Sequence, residues 1–408
     1  MPEQPPGTPP APAPGPLDGL TVLDFSTMMA GPHCTRMMAD LGATVIKVES
    51  PDGDHMRKLR PRKSGSSRFF GQLNVGKRSV TLDLSAAEGQ QAALALVARA
   101  DIVLESWRPG VAGRLGLTYE ACRAVREDVI YCSISGWGQA GPNARRAAFA
   151  PVVHAASGFD MANLFYQPPG SIPPVTGVFV GDILGGTMAF GAILAGVRKR
   201  DATGAGSRID LSLVEAMLSM PVYEFQAELA ELREMRPSHR PVPTADGFIV
   251  LTIVSDLNWH AVARALGQPG LGTDPRFADV KARTLHWDEL HQLVCDWAAS
   301  RTAEQAEAEM LAAGVPAARY QTMASLLEDE HLRTRGVFRT VADAAGEFTV
   351  TATPFRFDDV ITPPDGSAVP ALGADTDAVL KDAGHPAESG QPGGHVQPAA
   401  PVPPEGAE

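Results

Sequence analysis

Cysteine is scarce in this chain. Its 408 residues include four, Cys34, Cys122, Cys132 and Cys295, far apart and without a Cys-x-x-Cys pair. Neither a disulfide framework nor a cysteine zinc site is expected, and a reducing cytoplasm is the compartment that fits. Positive charge is in deficit too. At a formal net charge of -12, nucleic acid and anionic membrane surfaces are not expected partners, because both need a field of opposite sign. Long apolar runs are also missing: Met188 to Val197 ends at Arg198, short of the roughly 18 residues of a membrane span. The ten histidines supply no His-x-x-x-His pair, and there is no Gly-x-Ser-x-Gly elbow and no P-loop. No metal site, elbow serine or nucleoside triphosphate cradle is expected.

What remains is a chain with a 44% apolar fraction, long enough for two domains. Residues 1–17, crowded with proline, read as a disordered tail without the layout of a signal peptide. Residues 18–235 form the larger domain. There Leu20–Phe25, Thr44–Glu49, Ser79–Leu84, Asp101–Glu105 and Val129–Ser135 are strand-like, and Pro32–Leu41, Ala86–Ala100 and Tyr119–Arg126 are helix-like. This alternation predicts an α/β, Rossmann-like parallel sheet with helices on both faces. From Ala150 the pattern is mainly helical, with a strand at Arg208–Leu211. Residues 236–335, with a strand at Phe248–Ile253, helices near Trp259, Leu290 and Glu304 and a strand near Ala317, predict a smaller α+β domain. Residues 336–384 are a return segment to the large domain, with a strand at Phe348–Thr351, and 385–408 are a second disordered tail.

Three features point to chemistry. Asp182 is the one charged residue between Thr176 and Gly196, in a glycine-rich helical segment. Helix-start N–H groups stabilise a carboxylate, and glycines let a backbone or ligand come close, which suits a nucleophile; a plain N-cap explains the same residue. Between Arg57 and Arg78 stand eight basic residues and no acid, either a phosphate-binding cluster, which Arg108 and Arg114 can join, or a solvated loop. Gly136 to Gly141 match Gly-x-Gly-x-x-Gly, but Pro142 follows and the match does not open the first βαβ unit, so a nicotinamide site is disfavoured. His33 and His154 read as structural, Trp107, Trp137 and Trp259 as packing or lining a cleft, with packing the default, and Asp24 and Asp83 as acceptors for loop N–H groups.

With these segments in order, the chain resembles the family III CoA-transferases, which include formyl-CoA transferase, carnitine CoA-transferase and the α-methylacyl-CoA racemases. The likeness runs from about Leu17 to Gly384 and rests on Val22-Leu-Asp-Phe25 with Ala30-Gly-Pro32, Leu41-Gly-Ala-Thr-Val-Ile-Lys-Val-Glu49, Leu73-Asn-Val-Gly-Lys-Arg-Ser79, Glu105-Ser-Trp-Arg-Pro-Gly110, Gly136-Trp-Gly-Gln-Ala-Gly-Pro142 and Val180-Gly-Asp-Ile183. The resemblance implies an interlocked homodimer and a catalytic Asp182 that carries acyl and CoA groups in turn, as anhydride and thioester, with N–H groups near Gly181 to Gly185 stabilising oxyanions. It implies that coenzyme A or acyl-CoA is a substrate, with no permanently bound cofactor. The CoA would lie along Met29, Ala30, Leu82, Asp83, Ser85, Ser106, Trp107, Arg108, Arg114, Phe149 and Ala150, with Arg57 from the basic cluster.

Racemases of this family carry a histidine where this chain has Phe149 and a supporting glutamate where it has Ser255, so the resemblance favours transfer. Formyl-CoA transferases have glutamine at the position of Met29 and an acid at that of Ala150, which points here to a less polar acyl group. The expected reaction is CoA transfer from an acyl-CoA to a carboxylic acid. The alternatives are racemisation or isomerisation of an acyl-CoA, and acyl-CoA binding without turnover.

Overall fold

Six strands, β1 (Thr21–Asp24), β2 (Thr44–Glu49), β3 (Arg78–Thr81), β4 (Ile102–Glu105), β5 (Ile130–Ser135) and β6 (Ser207–Ser212), form one sheet in the order β3-β2-β1-β4-β5-β6. All five pairings are parallel. The computed structural model describes residues 15–63, 65–168, 170–231, 239–358 and 360–385. Residues 1–14 and 386–408, expected as tails, and the boundary expected near Arg236 lie outside them.

Both faces of the central strands β1, β2, β4 and β5 are covered, so these read as largely apolar runs whose alternate residues serve opposite cores, whereas the edge strand β6 exposes Arg208 and Asp210. Val22, Ile102, Leu104, Ile130, Cys132 and Ile134 face helix α1 (Ala30–Asp40) and the helix of Asp182. Leu23, Ile46, Val48, Val80, Val103 and Tyr131 face the helix Ala87–Val97. Leu17, assigned from sequence to the tail, belongs to the first core, and its N–H donates to Leu41 O at 2.9 Å. The helix α2 (Arg68–Asn74), inside the basic stretch, was not foreseen. Its sequence carries no long amphipathic period, and Ser67 caps it by accepting from Phe70 N.

Three further helices position the site: α3 (Ala150–Ala156), α4 (Phe159–Leu164) and α5 (Val180–Thr203). At 24 residues and a mean hydropathy of 1.6 over its most apolar window, α5 is apolar enough to cross a bilayer by composition. The count from Met188 missed this because the helix begins at Val180. One stripe of it, Gly185, Gly186, Ala189, Ile193 and Gly196, is buried within the protein. A Cβ at Gly186 would collide with Ala30 O, so glycine there lets α5 lie directly on the start of α1.

Beyond residue 239, strands at Val242–Pro243, Phe248–Leu251 and Ala317–Arg319 form a small antiparallel sheet. It packs with Trp259, Phe277, Leu290, Val294 and Met310 into a separate core. The chain then returns to the large unit. A hairpin of Phe338–Asp343 and Gly346–Thr351 is fastened to α2 by Arg68–Asp343 at 2.5 Å and Gln72–Thr351 at 2.8 Å. Asp375 accepts from Ser79 N on β3 at 2.8 Å, and Val379 and Leu380 enter the core beside Val80. The larger unit is thus discontinuous in sequence.

Candidate active site

Strand order reverses at β1, whose neighbours β2 and β4 are reached by connections running in opposite directions. At such a switch point the loops beyond the carboxyl ends diverge and leave a crevice. Here the two loops are tied together by Phe25 N donating to Leu104 O at 2.8 Å and Thr27 N donating to Ser106 Oγ at 3.2 Å. A cavity of about 190 Å³ opens over them. Its walls are Thr27, Met28 and Ala30 after β1, Ser106 to Pro109 after β4, Ile134, Ser135 and Gly136 at the end of β5, Ala144, Arg146, Ala148 and Phe149 before α3, Leu213 after β6, and Asp182 from α5. Met28 has φ of 65°, a left-handed conformation costly for a side chain with a Cβ.

Asp182 is not the N-cap of its helix. Phe179 holds that position, and no side chain caps from it. Instead His154 Nε2 accepts the Gly181 N–H at 3.0 Å. Burial lowers the His154 imidazole below its usual value despite the nearby Asp160, keeping the ring neutral and able to accept. With the cap supplied from α3, the Asp182 carboxylate has no hydrogen bond or ion pair among the described residues. Burial alone raises its carboxyl to about 6. The Gly181 N–H, taken by His154, and the Ile183 N–H, which donates to Phe179 O, are not available as the oxyanion donors expected there.

The neighbouring carboxylates differ. Asp24, fully buried at the end of β1, accepts from Ser26 N and the Ser26 hydroxyl, from Thr35 at 2.6 Å and from Lys77 at 3.0 Å. Burial opposes its ionisation, yet Lys77 and Lys47 hold it down at about 2. Glu105, at the end of β4, accepts from Trp107 N at 2.6 Å, and burial pushes its carboxyl up to about 7. It anchors the loop that carries Ser106 to Arg108.

Of the residues singled out from sequence, Ala30, Ser106, Trp107, Arg108 and Phe149 share the cavity with Asp182. Met29 turns instead into a buried cluster with Met56, Phe70 and Leu73, and Ala150 is buried behind Phe149. Leu82 is a core side chain, and Asp83 caps its own loop by accepting from Ser85 N at 2.9 Å and the Ser85 hydroxyl at 2.6 Å. Both lie at the same edge of the sheet, beyond β3. Arg114 is exposed on the short helix Val111–Arg114.

Arg57 is engaged within the fold. It makes a bidentate pair with Glu49, both bonds at 2.7 Å, and lies 3.8 Å from the Phe70 ring centroid. Arg68 pairs with Asp343, Arg78 with Asp375, and Lys77 with Asp24, so half of the basic cluster is spent on internal pairing. Lys58, Arg60 and Lys63 remain exposed. Sequence reasoning missed Thr27, Met28, Ser135, Arg146 and Leu213. The usable signal for all but Arg146 was position at or just past the carboxyl end of a parallel strand.

A fold of this topology with an unpaired, half-buried carboxylate at its switch point describes an enzyme of group transfer more readily than a nicotinamide-binding protein. The profile described as CoA-transferase family III spans residues 17–376. The chain is 36% identical over 335 residues to the succinyl-CoA--D-citramalate CoA-transferase of Chloroflexus aurantiacus, covering 79% of this chain and 82% of that protein. It is 31% identical to the succinyl-CoA:mesaconate CoA-transferase of Haloarcula hispanica, covering 91% and 97%. A crystal structure of a CAIB/BAIF family protein from Brucella suis matches with a TM-score of 0.79 at 31% identity, covering 91% of this chain and all of that one. The chain belongs to CoA-transferase family III. It is a CoA-transferase, moving CoA from an acyl-CoA to a carboxylic acid.

Proposed function

We propose that Asp182 is the nucleophile of this transfer. Its carboxylate attacks the thioester carbonyl and expels CoA thiolate, leaving an aspartyl-acyl anhydride. The thiolate then attacks the aspartyl carbonyl, releasing the donor acid and leaving aspartyl-CoA thioester. The acceptor carboxylate repeats the two exchanges in reverse, forming the new acyl-CoA and freeing Asp182. The observation that carries this reading is a half-buried carboxylate left without a partner at the switch point, raised to about 6 by burial alone and still mostly ionised at neutral pH. Desolvation of this kind also limits hydrolysis of the anhydride. Among the described residues lining the cavity, Asp182 is the one carboxylate and no histidine is present. A two-base racemisation therefore has less support.

The cavity is smaller than the roughly 300–1,000 Å³ of sites that enclose a whole ligand, so it suits an acyl group while the body of CoA lies outside. The route that fits is the carboxyl edge of the sheet, from Ser106–Arg108 past Ala30 to Leu82–Ser85, with Arg114, Lys58, Arg60 and Lys63 as exposed cations for its phosphates. Phe149, Ile172, Val175, Val178, Phe179 and Met188 are exposed apolar residues around Asp182 and its helix. A second copy of this chain is the cover that fits them, giving a homodimer in the cytoplasm whose mass in solution tests this. The names of the relatives make succinyl-CoA the first donor to try. Asp182 should be captured by hydroxylamine as a hydroxamate, seen by mass spectrometry, when the enzyme is incubated with its donor. CoA exchange that persists in Asp182→Asn would remove the proposed mechanism.

A further inference from the structure

The cavity holds two cations that the Asp182 chemistry does not use. Arg108 is expected to face CoA, whereas Arg146 lies on the opposite loop. Its guanidinium carbon is 4.6 Å from the Trp137 ring centroid, and its Nη1 donates to Asn143 Oδ1 at 3.5 Å. A planar guanidinium stacked on an aromatic face is held ready for a bidentate anion. At the end of β5, Ser135 Oγ is buried on the same cavity, 7% exposed as a residue, and without a partner among the described residues. A buried hydroxyl left unmatched is unfavourable unless a bound group supplies the missing partner.

Among the described residues no ion pair joins either arginine to Asp182, and all three line the same cavity of about 190 Å³. That volume accommodates a short chain with its reacting carbonyl at Asp182 and its other end at Arg146. Phe149 and Met28 supply the apolar walls between. The expectation of a less polar acyl group fits those walls but not the far end.

We infer that Arg146, with the hydroxyl of Ser135, binds a second carboxylate, so that the acyl groups this enzyme handles are those of short dicarboxylic acids. The inference rests on the Asp182 reading.

The first half-reaction tests it without any acceptor. Mixing enzyme with a stoichiometric amount of acyl-CoA should release one equivalent of free acid as CoA passes to Asp182. The rate constants for succinyl-CoA and butyryl-CoA, equal in chain length, are compared. The wild-type enzyme should favour succinyl-CoA, and Arg146→Met should lower that ratio roughly tenfold to hundredfold. Arg146→Lys should lower it less, and Ser135→Ala severalfold. Equal losses with both thioesters, leaving the ratio unchanged, would mark Arg146 as structural and overturn the inference. So would a wild-type preference for butyryl-CoA, a result available even if the Arg146 variants fail to fold. Release of acid from neither thioester would instead sink the Asp182 reading, and the dicarboxylate inference with it.

Discussion

Asp24 and Asp182 sit at the same edge of one sheet, and both are largely removed from water. Asp24 is saturated: two hydroxyls, a backbone N–H and the Lys77 ammonium satisfy it, and its carboxyl stays near 2. Asp182 has no such partner, and its carboxyl rises to about 6. The same side chain is thus employed in opposite ways. At Asp24 the charge is neutralised and fixes the geometry of the loop after β1, where Lys77 also donates to Pro32 O at the start of α1. At Asp182 the charge is left exposed to whatever enters the cavity, and His154 takes over the capping duty that would otherwise quench it.

Breaking the two sites separately should give different phenotypes. Asp182→Asn should lower CoA transfer on the order of a thousandfold or more while leaving the circular dichroism spectrum unchanged; activity within tenfold of wild type would remove the contrast. Lys77→Met should act on stability, because it leaves Asp24 buried and unpaired. A loss of about 3–5 kcal/mol is expected from urea unfolding, and a loss below about 1 kcal/mol would mean that Lys47 alone suffices. The pH profile sharpens the comparison further. In the proposed mechanism only the ionised Asp182 attacks, so kcat/KM should fall about tenfold per unit below about pH 6 and be flat above it. Asp24, ionised throughout this range, should not contribute. Glu105, raised to about 7, also titrates nearby, so a break that stays at 6 in Glu105→Gln assigns it to Asp182.

Much of the large unit was legible because its strands are buried on both faces and its helices carry a clear period. Thr44–Glu49 was read to the residue, and the other strands of the large sheet to within a few. The hairpin at Phe338–Thr351 was half seen, because its first strand mixes Arg339, Thr340 and Asp343 with few apolar residues. The isolation of Asp182 in a glycine-rich helix was legible, and it lines the cavity, although its position within the helix was not foreseen. The cap turned out to be a histidine 27 residues upstream, a tertiary contact that no local pattern encodes. The basic stretch misled for a related reason: charge density is visible in sequence, whereas the acids that consume it, Asp24, Glu49, Asp343 and Asp375, are scattered over the chain. Arg146 was overlooked because its neighbour in space is Trp137, and the loop between them has no periodicity.

The smallest expected effect is a gain in stability. An acid raised from 3.8 to about 6 by burial binds more protons in the folded chain than in the unfolded chain between those values. Its contribution to stability is therefore largest when it is protonated and is lost as pH rises through about 6. Asp182→Asn stays neutral at every pH and escapes that loss. The variant should match wild type in acid and exceed it by up to about 3 kcal/mol above the shifted value. About half of that gain should develop between pH 5 and pH 8, where urea unfolding of both proteins can be compared. A constant difference across this range would mean that the gain comes from packing, and that the carboxylate of Asp182 is not held out of water as its position in the cavity requires.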